Sequence, residues 1–341
     1  MSGAHAHLPH ENLKFDGMKN LRITLLVLTV SILGYSCQRP EQSGGVPVVG
    51  FVEAFEDATI AQARDGFEAA LRDSGYSESD GTIRFVRRNA QGDAATLNQI
   101  ISYFNSQQVD LIGTSTTLAT IAAVQRSKDI PIFQTVTAMP EILGLLESDG
   151  QPPALLFGTG ENLNYIDTSF AIITQMVKPK GEQLRVGMIY NQSEPQSVEA
   201  YKRIESLAES MDVHVEALPL NNSAEAQLVV RTLLTNQIDA FFANPDNTVF
   251  AAFETILKNC HDKGVPVFTS ESGLVSRGAV AAFGADIYRW GYQSGAQAAV
   301  YLKNRLTDSL QVEMLQVRKR VYNPDAAERF GFSFPETFEA L

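Results

Sequence analysis

Short apolar runs alternate with amphipathic stretches along nearly the whole chain, and the alternation restarts once near the middle. The first set runs Val46–Val52, Ile60–Leu71, Ile83–Val86, Ala94–Phe104, Val109–Ile112, Leu118–Gln125 and Ile130–Val136. Periods near two in one segment and near 3.6 in the next describe repeated βαβ units, and hence parallel strands with helices on both faces. The pattern pauses at Gly150-Gln151-Pro152-Pro153, makes a strand at Ala154–Phe157 and passes Gly158-Thr159-Gly160. A second set follows: helix Tyr165–Met176, strand Arg185–Tyr190, helix Ser197–Glu209, strand His214–Leu218, helix Ala224–Leu234, strand Ala240–Ala243, helix Val249–Asn259 and strands Val265–Thr269 and Ala279–Phe283. A chain of 341 residues also exceeds what one core usually serves. The expected fold is therefore α/β, with two doubly wound parallel-sheet domains joined by a hinge. Residues 46–158 form the first and 159–284 the second; 285–310 packs back on the first, and 311–341 completes the hinge and both domains. The halves share architecture without an obvious sequence repeat.

In open α/β sheets, ligands bind at the carboxyl ends of the strands. The chain gathers polar residues at such ends: Glu53 and Glu56, Thr114-Ser115-Thr116-Thr117, Thr135 and Thr137, Asn191 to Ser197 with Glu194 among them, Asp246-Asn247, and Glu271. Any one of these can be a helix N-cap, the preferred place for Ser, Thr, Asp and Asn. Together, on the ligand edge of both halves, they describe a clamp. Hydroxyls and helix-start amides at Thr114 to Thr117 suit an anion, and Asp246 across the cleft suits an ammonium, so a zwitterion such as an α-amino acid fits the pair. Phe51, Phe55 and Phe133 are candidates for an apolar wall, with a place in the core as the alternative for each.

Several chemistries are excluded or disfavoured. The formal charge of −12 argues against a nucleic-acid partner, which needs a concentrated positive field. Of five histidines, His5, His7 and His10 lie at the front, leaving His214 and His261, too few for a histidine triad or a multi-histidine metal site. Gly158-Thr159-Gly160 lacks the third glycine of a dinucleotide loop, since Leu163 stands there, and no phosphate-loop Gly-Lys-Ser/Thr occurs. No metal or cofactor is expected, and an enzyme using carboxylates alone is a remote alternative.

The front of the chain reads as an export signal: Lys19 and Arg22, the apolar run Ile23–Leu33, then Gly34-Tyr35-Ser36-Cys37. Met18 opens this signal better than Met1 does. Small residues before a cysteine resemble a bacterial lipoprotein signal, in which Cys37 carries the lipid, although Tyr35 departs from the small-residue pattern; an uncleaved anchor is the alternative. Residues 38–45 are polar and rich in breakers, as a tether would be. With Cys37 lipidated, Cys260 is left alone and reads as a small apolar core residue.

Beyond these readings, Ile130-Pro131-Ile132-Phe133 with Val136-Thr137, Gly187-Met188-Ile189-Tyr190-Asn191 with Glu194 and Ser197, Pro245-Asp246-Asn247-Thr248, Val265-Pro266-Val267-Phe268, and Asn323 to Phe332 occur in an order and spacing that resemble the substrate-binding lipoproteins of the tryptophan/tyrosine-type ABC importers. The resemblance spans Val46 to Pro335. It implies a type I periplasmic-binding fold, a small-molecule ligand in the interdomain cleft, some members taking aromatic amino acids, and delivery by a lipid-anchored monomer at the cell envelope to a separate ABC permease and ATPase. It assigns ligand contacts to Thr114 to Thr117, Glu194, Ser197, Asp246 and Asn247. The chain departs from the family pattern where Ile60-Ala61 replaces a Leu-Asp pair and where Ala138-Met139-Pro140 replaces Asp-Pro. A lipoprotein that senses a ligand for a membrane partner is the alternative function.

Overall fold

The structure, a computed structural model, describes residues 45–341 together with Gly3; Cys37 and the export signal lie outside the described residues. In chain order the elements are β1 (Val48–Glu53), α1 (Ala58–Asp73), β2 (Arg84–Asn89), α2 (Ala94–Ser106), β3 (Leu111–Ser115), α3 (Thr117–Arg126), β4 (Ile132–Thr135) and β5 (Leu156–Gly160). Then come α4 (Tyr165–Met176), β6 (Leu184–Tyr190), α5 (Pro195–Ser210), β7 (Val213–Pro219), a 3-10 turn Ser223–Glu225, α6 (Ala226–Leu234), β8 (Ala240–Ala243), α7 (Asn247–Ala251), α8 (Phe253–Asp262), β9 (Val267–Thr269) and α9 (Ser272–Ser276). The chain ends with β10 (Ala281–Ala285), α10 (Ile287–Asn304), β11 (Val312–Met314), β12 (Arg318–Tyr322), α11 (Pro324–Phe330) and β13 (Glu339–Ala340).

Two parallel sheets result. The first has the order β11-β5-β4-β3-β1-β2 and the second β7-β6-β8-β9; a three-stranded sheet β10-β12-β13 adjoins the second, tied to it by Val280 N–H donating to Val267 O at 2.6 Å. The α/β class and the parallel sheets agree with the reading of the sequence. Within each half the strands that are covered on both sides are wholly buried, as in β3, β4, β5 and β8, which is why they read as unbroken apolar runs rather than alternating ones. Aromatic pairs fill the cores: Phe51 against Phe67 edge-on at 5.4 Å and Phe133 against Phe157 at 5.5 Å in the first lobe, Phe170 against Phe242 at 5.6 Å in the second.

The chain passes between the lobes three times, after β5, after β10 and after β11. Helix α10 leaves the second lobe and lies on α1 of the first at a distance that only glycine permits. A Cβ on Gly66 would fall on the Tyr288 carbonyl oxygen, and one on Gly291 would fall on that of Ala63. The crossings are bonded to one another. Glu161, wholly buried, accepts from both arms of the Arg318 guanidinium at 2.6 to 3.0 Å. Asp286 N–H donates to Val317 O at 3.2 Å, and Leu315 N–H donates to Gly160 O at 3.0 Å. The buried indole of Trp290 donates to Thr159 O at 2.9 Å. These bonds tie the crossings together at the base of the two lobes.

Candidate functional site

Residues of both lobes enclose a narrow cavity of about 20 Å³. From the first lobe it is lined by Ile60, Thr116 and Val136; from the second by Tyr165, Gln196, Pro245, Asp246, Asn247, Phe250 and Glu271; Trp290 closes it from α10. The lobes touch across it, where Thr117 Oγ1 donates to Gln196 Oε1 at 2.6 Å.

The first-lobe wall is built from the start of α3. Strand β3 runs on through Thr114 and Ser115, so only Thr116 and Thr117 stand at the turn. Thr114 Oγ1 bonds Thr120 Oγ1 at 2.9 Å and Thr117 Oγ1 bonds Thr137 Oγ1 at 3.1 Å, both within the lobe. Thr116 is different. It occupies the N-cap position of α3 but makes no side-chain cap bond, and its Oγ1, like Ser115 Oγ, is buried without a partner among the described residues. The first-turn amides of a helix have no partner inside it, so α3 begins, at the cavity-lining Thr116, with amides and a hydroxyl that the lobe itself does not use. The backbone here is strained as well. Thr116 has φ 83° and ψ 161°, a region held almost entirely by glycine, and Val136, β-branched, has φ 49°; each such residue costs roughly 1–3 kcal/mol. Two strained residues on one cavity wall are the pattern of a site whose geometry the rest of the fold enforces.

The second-lobe wall carries three buried carboxylates, and two of them are already occupied. Asp246 is the N-cap of α7: Oδ1 accepts from Thr248 N at 2.7 Å and Val249 N at 2.9 Å. Its Oδ2 accepts from Asn191 N at 2.6 Å and from Ser197 Oγ. Asp246 therefore lines the cavity, as expected, but with four donors from its own lobe on its two oxygens and 2% exposure it acts as a helix cap and has little acceptor capacity left for a ligand ammonium. Glu194 is likewise engaged, accepting from Asn191 Nδ2, Thr248 Oγ1, Asn247 N and Asn247 Nδ2 at 2.6 to 3.2 Å. Burial, and then the Asp246 carboxylate beside it, raise the Glu194 pKa; burial raises that of Asp246. Ser197, wholly buried, completes this hub by accepting from Asn191 N and Asn244 Nδ2 at 3.1 Å. Asn247 both serves the hub and lines the cavity.

Glu271 is the third carboxylate. Tyr165 Oη donates to its Oε1 at 2.7 Å and Ser270 Oγ at 3.3 Å. Both bonds end on Oε1, so Oε2 remains for the cavity that the residue lines. Burial pushes its pKa up to about 7, which the ammonium of a ligand would reverse.

The remaining expectations fall as follows. Phe55 does not line the cavity; it is packed in an apolar cluster with Val52, Ile60 and Phe250, because it points from the β1 end into the core. Phe51 and Phe133 are wholly buried core residues. Thr114, Ser115, Thr137 and Ser197 stand behind the wall rather than on it. The sequence reading missed Tyr165, Phe250 and Trp290, and held Gln196 within the Asn191–Ser197 segment without singling it out. Tyr165 and Trp290 follow the first two crossings closely, a position that sequence marks only once the crossings are known. Ile60, one of the two residues that depart from the family pattern after the first strand, and Val136, just before the second departure, both line the cavity.

Comparison with known proteins agrees with this architecture. A family model described as ABC transporter substrate binding protein matches residues 46–340. A tyrosine-binding protein of Clostridioides difficile (strain R20291) is 30% identical over 277 residues, covering 81% of this chain and 79% of that protein. Among solved structures, an ABC domain in complex with L-Trp from Streptococcus pneumonia superposes with TM-score 0.77 at 21% identity, over 85% of this chain and 96% of that one. The ligand-free, open structure of a Clostridium difficile substrate-binding protein with adhesive properties gives TM-score 0.64 at 26% identity, over 87% and 99%. Two parallel-sheet lobes, a cleft between their strand ends and a family match across almost all the described residues lead to one conclusion: the chain belongs to the ABC transporter substrate-binding proteins, the extracytoplasmic and non-catalytic components that capture a solute for an importer.

Proposed function

We propose that the captured solute is an α-amino acid with an aromatic side chain. The observation that carries this reading is the pairing, in one cavity, of an uncapped helix start at Thr116 with a carboxylate, Glu271, that keeps one oxygen free. A helix start with open amides favours a carboxylate, and a buried carboxylate favours an ammonium through a charge-assisted bond. Phe250, Tyr165 and Trp290 supply ring faces and edges between the two, the contact surface that an aromatic side chain uses best. The 30% identical relative named for tyrosine binding supports the same class. A space of about 20 Å³ holds water but no amino acid, so entry requires the lobes to open and the rings to part. Residues 46–158 with α10, and 159–284, act as the two jaws, and residues 311–341 close the hinge.

The protein is held to the membrane by a lipid on Cys37 and delivers its solute to an ABC permease and its ATPase. Calorimetric titration with L-tyrosine, L-tryptophan, L-alanine and tyramine tests the ligand class. The first two bind, L-alanine binds far more weakly, and tyramine, lacking the carboxylate, does not bind. Tight binding of a sugar with no response to any amino acid would overturn the assignment. Cys37→Ala moves the protein to the soluble fraction if the lipid is the anchor; unchanged membrane association refutes that part.

A further inference from the structure

Outside the cavity, the lobes meet at a second place. Arg277, at the end of α9 in the second lobe, donates through Nη1 to Oδ2 of Asp57, the N-cap of α1 in the first lobe. Each partner is held by its own lobe. Glu254 accepts from Arg277 Nε at 2.9 Å and Nη2 at 2.8 Å, Phe250 O accepts from Nη2 at 3.2 Å, and the guanidinium lies 5.1 Å from the centre of the Phe253 ring. Asp57 Oδ1 accepts from Thr59 N at 2.8 Å and Ile60 N at 3.0 Å. Neither Asp57 nor Arg277 lines the ligand cavity. One turn away the helices are in van der Waals contact: a Cβ on Gly273 of α9 would fall on the side chain of Thr59 in α1.

We infer that Asp57 and Arg277, with the Thr59–Gly273 contact beside them, form an interlobe latch that holds the closed state and sets the rate of ligand release without touching the ligand. Both partners keep their intralobe bonds when the jaws part, so closing the latch costs little side-chain ordering, which is the usual expense of forming such a pair. The carboxylate is almost fully shielded, with 4% of its side chain exposed against 19% for the arginine, so the pair escapes most of the screening that weakens surface ion pairs. The three crossings allow this edge of the clamp to open only with the cavity, because α1 and α9 both flank it through Ile60 and Glu271. Arg277 and Asp57 are therefore positioning residues for the closed state. The inference rests on the closing clamp proposed above and not on the ligand named there.

Single-molecule energy transfer between dyes on Tyr103→Cys in α2 and Leu228→Cys in α6 reads the closed-state lifetime. Both positions are exposed and Cys260 is buried, so the full chain carrying Cys37→Ala labels at the two new cysteines. Lifetimes are measured without ligand and with L-tyrosine. Asp57→Asn keeps the cap, since Asn caps as well as Asp, and Arg277→Gln keeps the helix; each shortens the closed lifetime about tenfold or more, the worth of a shielded charged hydrogen bond. The double variant is no worse than either single one, because the two act as a pair. Gly273→Ala abolishes the fully closed state, and adding Thr59→Gly restores it. A merely structural role would lower the melting temperature and leave the lifetimes alone. Equal lifetimes in wild type and Asp57→Asn, additive effects in the double variant, or a wild type that never closes in either condition would overturn the latch. If L-tyrosine leaves every distribution unchanged while the lifetimes without ligand still depend on Asp57, the ligand assignment fails and the latch stands.

Discussion

The two sides of the cleft stand at the same topological position, the strand ends of two parallel sheets, yet one is built of hydroxyls and the other of carboxylates and amides, and they differ in how far their polar groups are already used. On the second-lobe side, the wall residues Asp246 and Asn247 and, behind them, Glu194, Ser197 and Asn191 satisfy one another, with Asn244 Oδ1 left unpartnered at the edge of the hub. On the first-lobe side, Thr116 on the wall and Ser115 behind it keep hydroxyls without partners among the described residues, and α3 starts uncapped. A polar residue at a strand end is thus either scaffold or receptor, and what separates the two is how many of its donors and acceptors the protein has already used. Buried carboxylates obey the same rule: Asp246 with four donors holds the loops, and Glu271 with one oxygen free can hold a ligand.

The sharpest way to break this comparison is Asp246→Ala. It removes a helix cap and leaves Ser197 Oγ, Thr248 N and Val249 N without their acceptor, while Asn191 N keeps only its bond to Ser197 Oγ. The expected loss is roughly 3 kcal/mol or more of folding stability, from about 0.5–2 for the cap and about 1–3 for each buried group left unpaired. Chemical denaturation measures it. Asp246→Asn should also cost stability, because its amide nitrogen would face one of the N–H or O–H donors. A variant with unchanged stability and weakened ligand binding would return Asp246 to the ligand.

Glu271→Gln should do the reverse. A hydrogen bond to a charged group contributes about 1.5–3 kcal/mol, so affinity for L-tyrosine or L-tryptophan should fall by roughly 10- to 150-fold. Stability should hold or rise, since the variant removes a carboxylate that burial already disfavours. Titration calorimetry beside a thermal melt separates the two effects, and a loss of stability equal to the loss of affinity would place Glu271 in the scaffold instead.

A smaller effect follows from the same residue's protonation. With the folded-state pKa raised to about 7, the folded chain holds a proton that the unfolded chain has released. This contribution to stability is fully present below the ordinary carboxylate range and is lost as pH rises through about 7. Ligand binding has the opposite sign. An ammonium prefers the ionised carboxylate, so affinity should tighten between pH 5 and about 7 and then level off, with a proton released on binding. Titrations in buffers of different ionisation enthalpy count that proton, and Glu271→Gln should release none. A proton still released by Glu271→Gln would move the titration to the Glu194–Asp246 pair.

How much of this was legible in the sequence follows from what periodicity can record. The alternation of β1 to β5 and of β6 to β9 is a property of local burial, and it placed Tyr165–Met176 and Ala240–Ala243 to the residue. The strand ends are equally local, which is why Glu271 and Thr116 were found. What decides between scaffold and receptor is not local: Asp246 is satisfied by Asn191 and Ser197, some fifty residues away, and no spacing rule reports that pairing. Phe55 was misplaced for a similar reason, since a residue just past a strand end can point into the core or into the cleft. β11 and β12 escaped notice because they are partly exposed and β12 reads Arg-Lys-Arg-Val-Tyr, without the apolar run of the buried strands, although they supply the third crossing and Arg318, the partner of Glu161.

The smallest expected effect belongs to the first-lobe wall and asks whether its strain serves the site. Thr116 holds φ 83° and ψ 161°, where a Cβ is crowded and glycine is not. Thr116→Gly relieves that crowding, worth roughly 1–3 kcal/mol, but adds backbone freedom to the unfolded chain that costs about 0.5–1 kcal/mol. The balance should be a gain of roughly 0–2.5 kcal/mol. The same change removes a hydroxyl that lines the cavity without a partner, so ligand affinity should fall by about three- to tenfold, the worth of one neutral hydrogen bond. Stability rising while affinity falls is the signature of strain retained for binding. Thr116→Ser separates the two terms, because it keeps both the hydroxyl and the strained Cβ: its stability should match the wild type and its affinity should stay within a factor of about two. If Thr116→Gly instead loses stability, the left-handed turn is held by contacts of the threonine side chain, and the first-lobe wall is as much scaffold as the second.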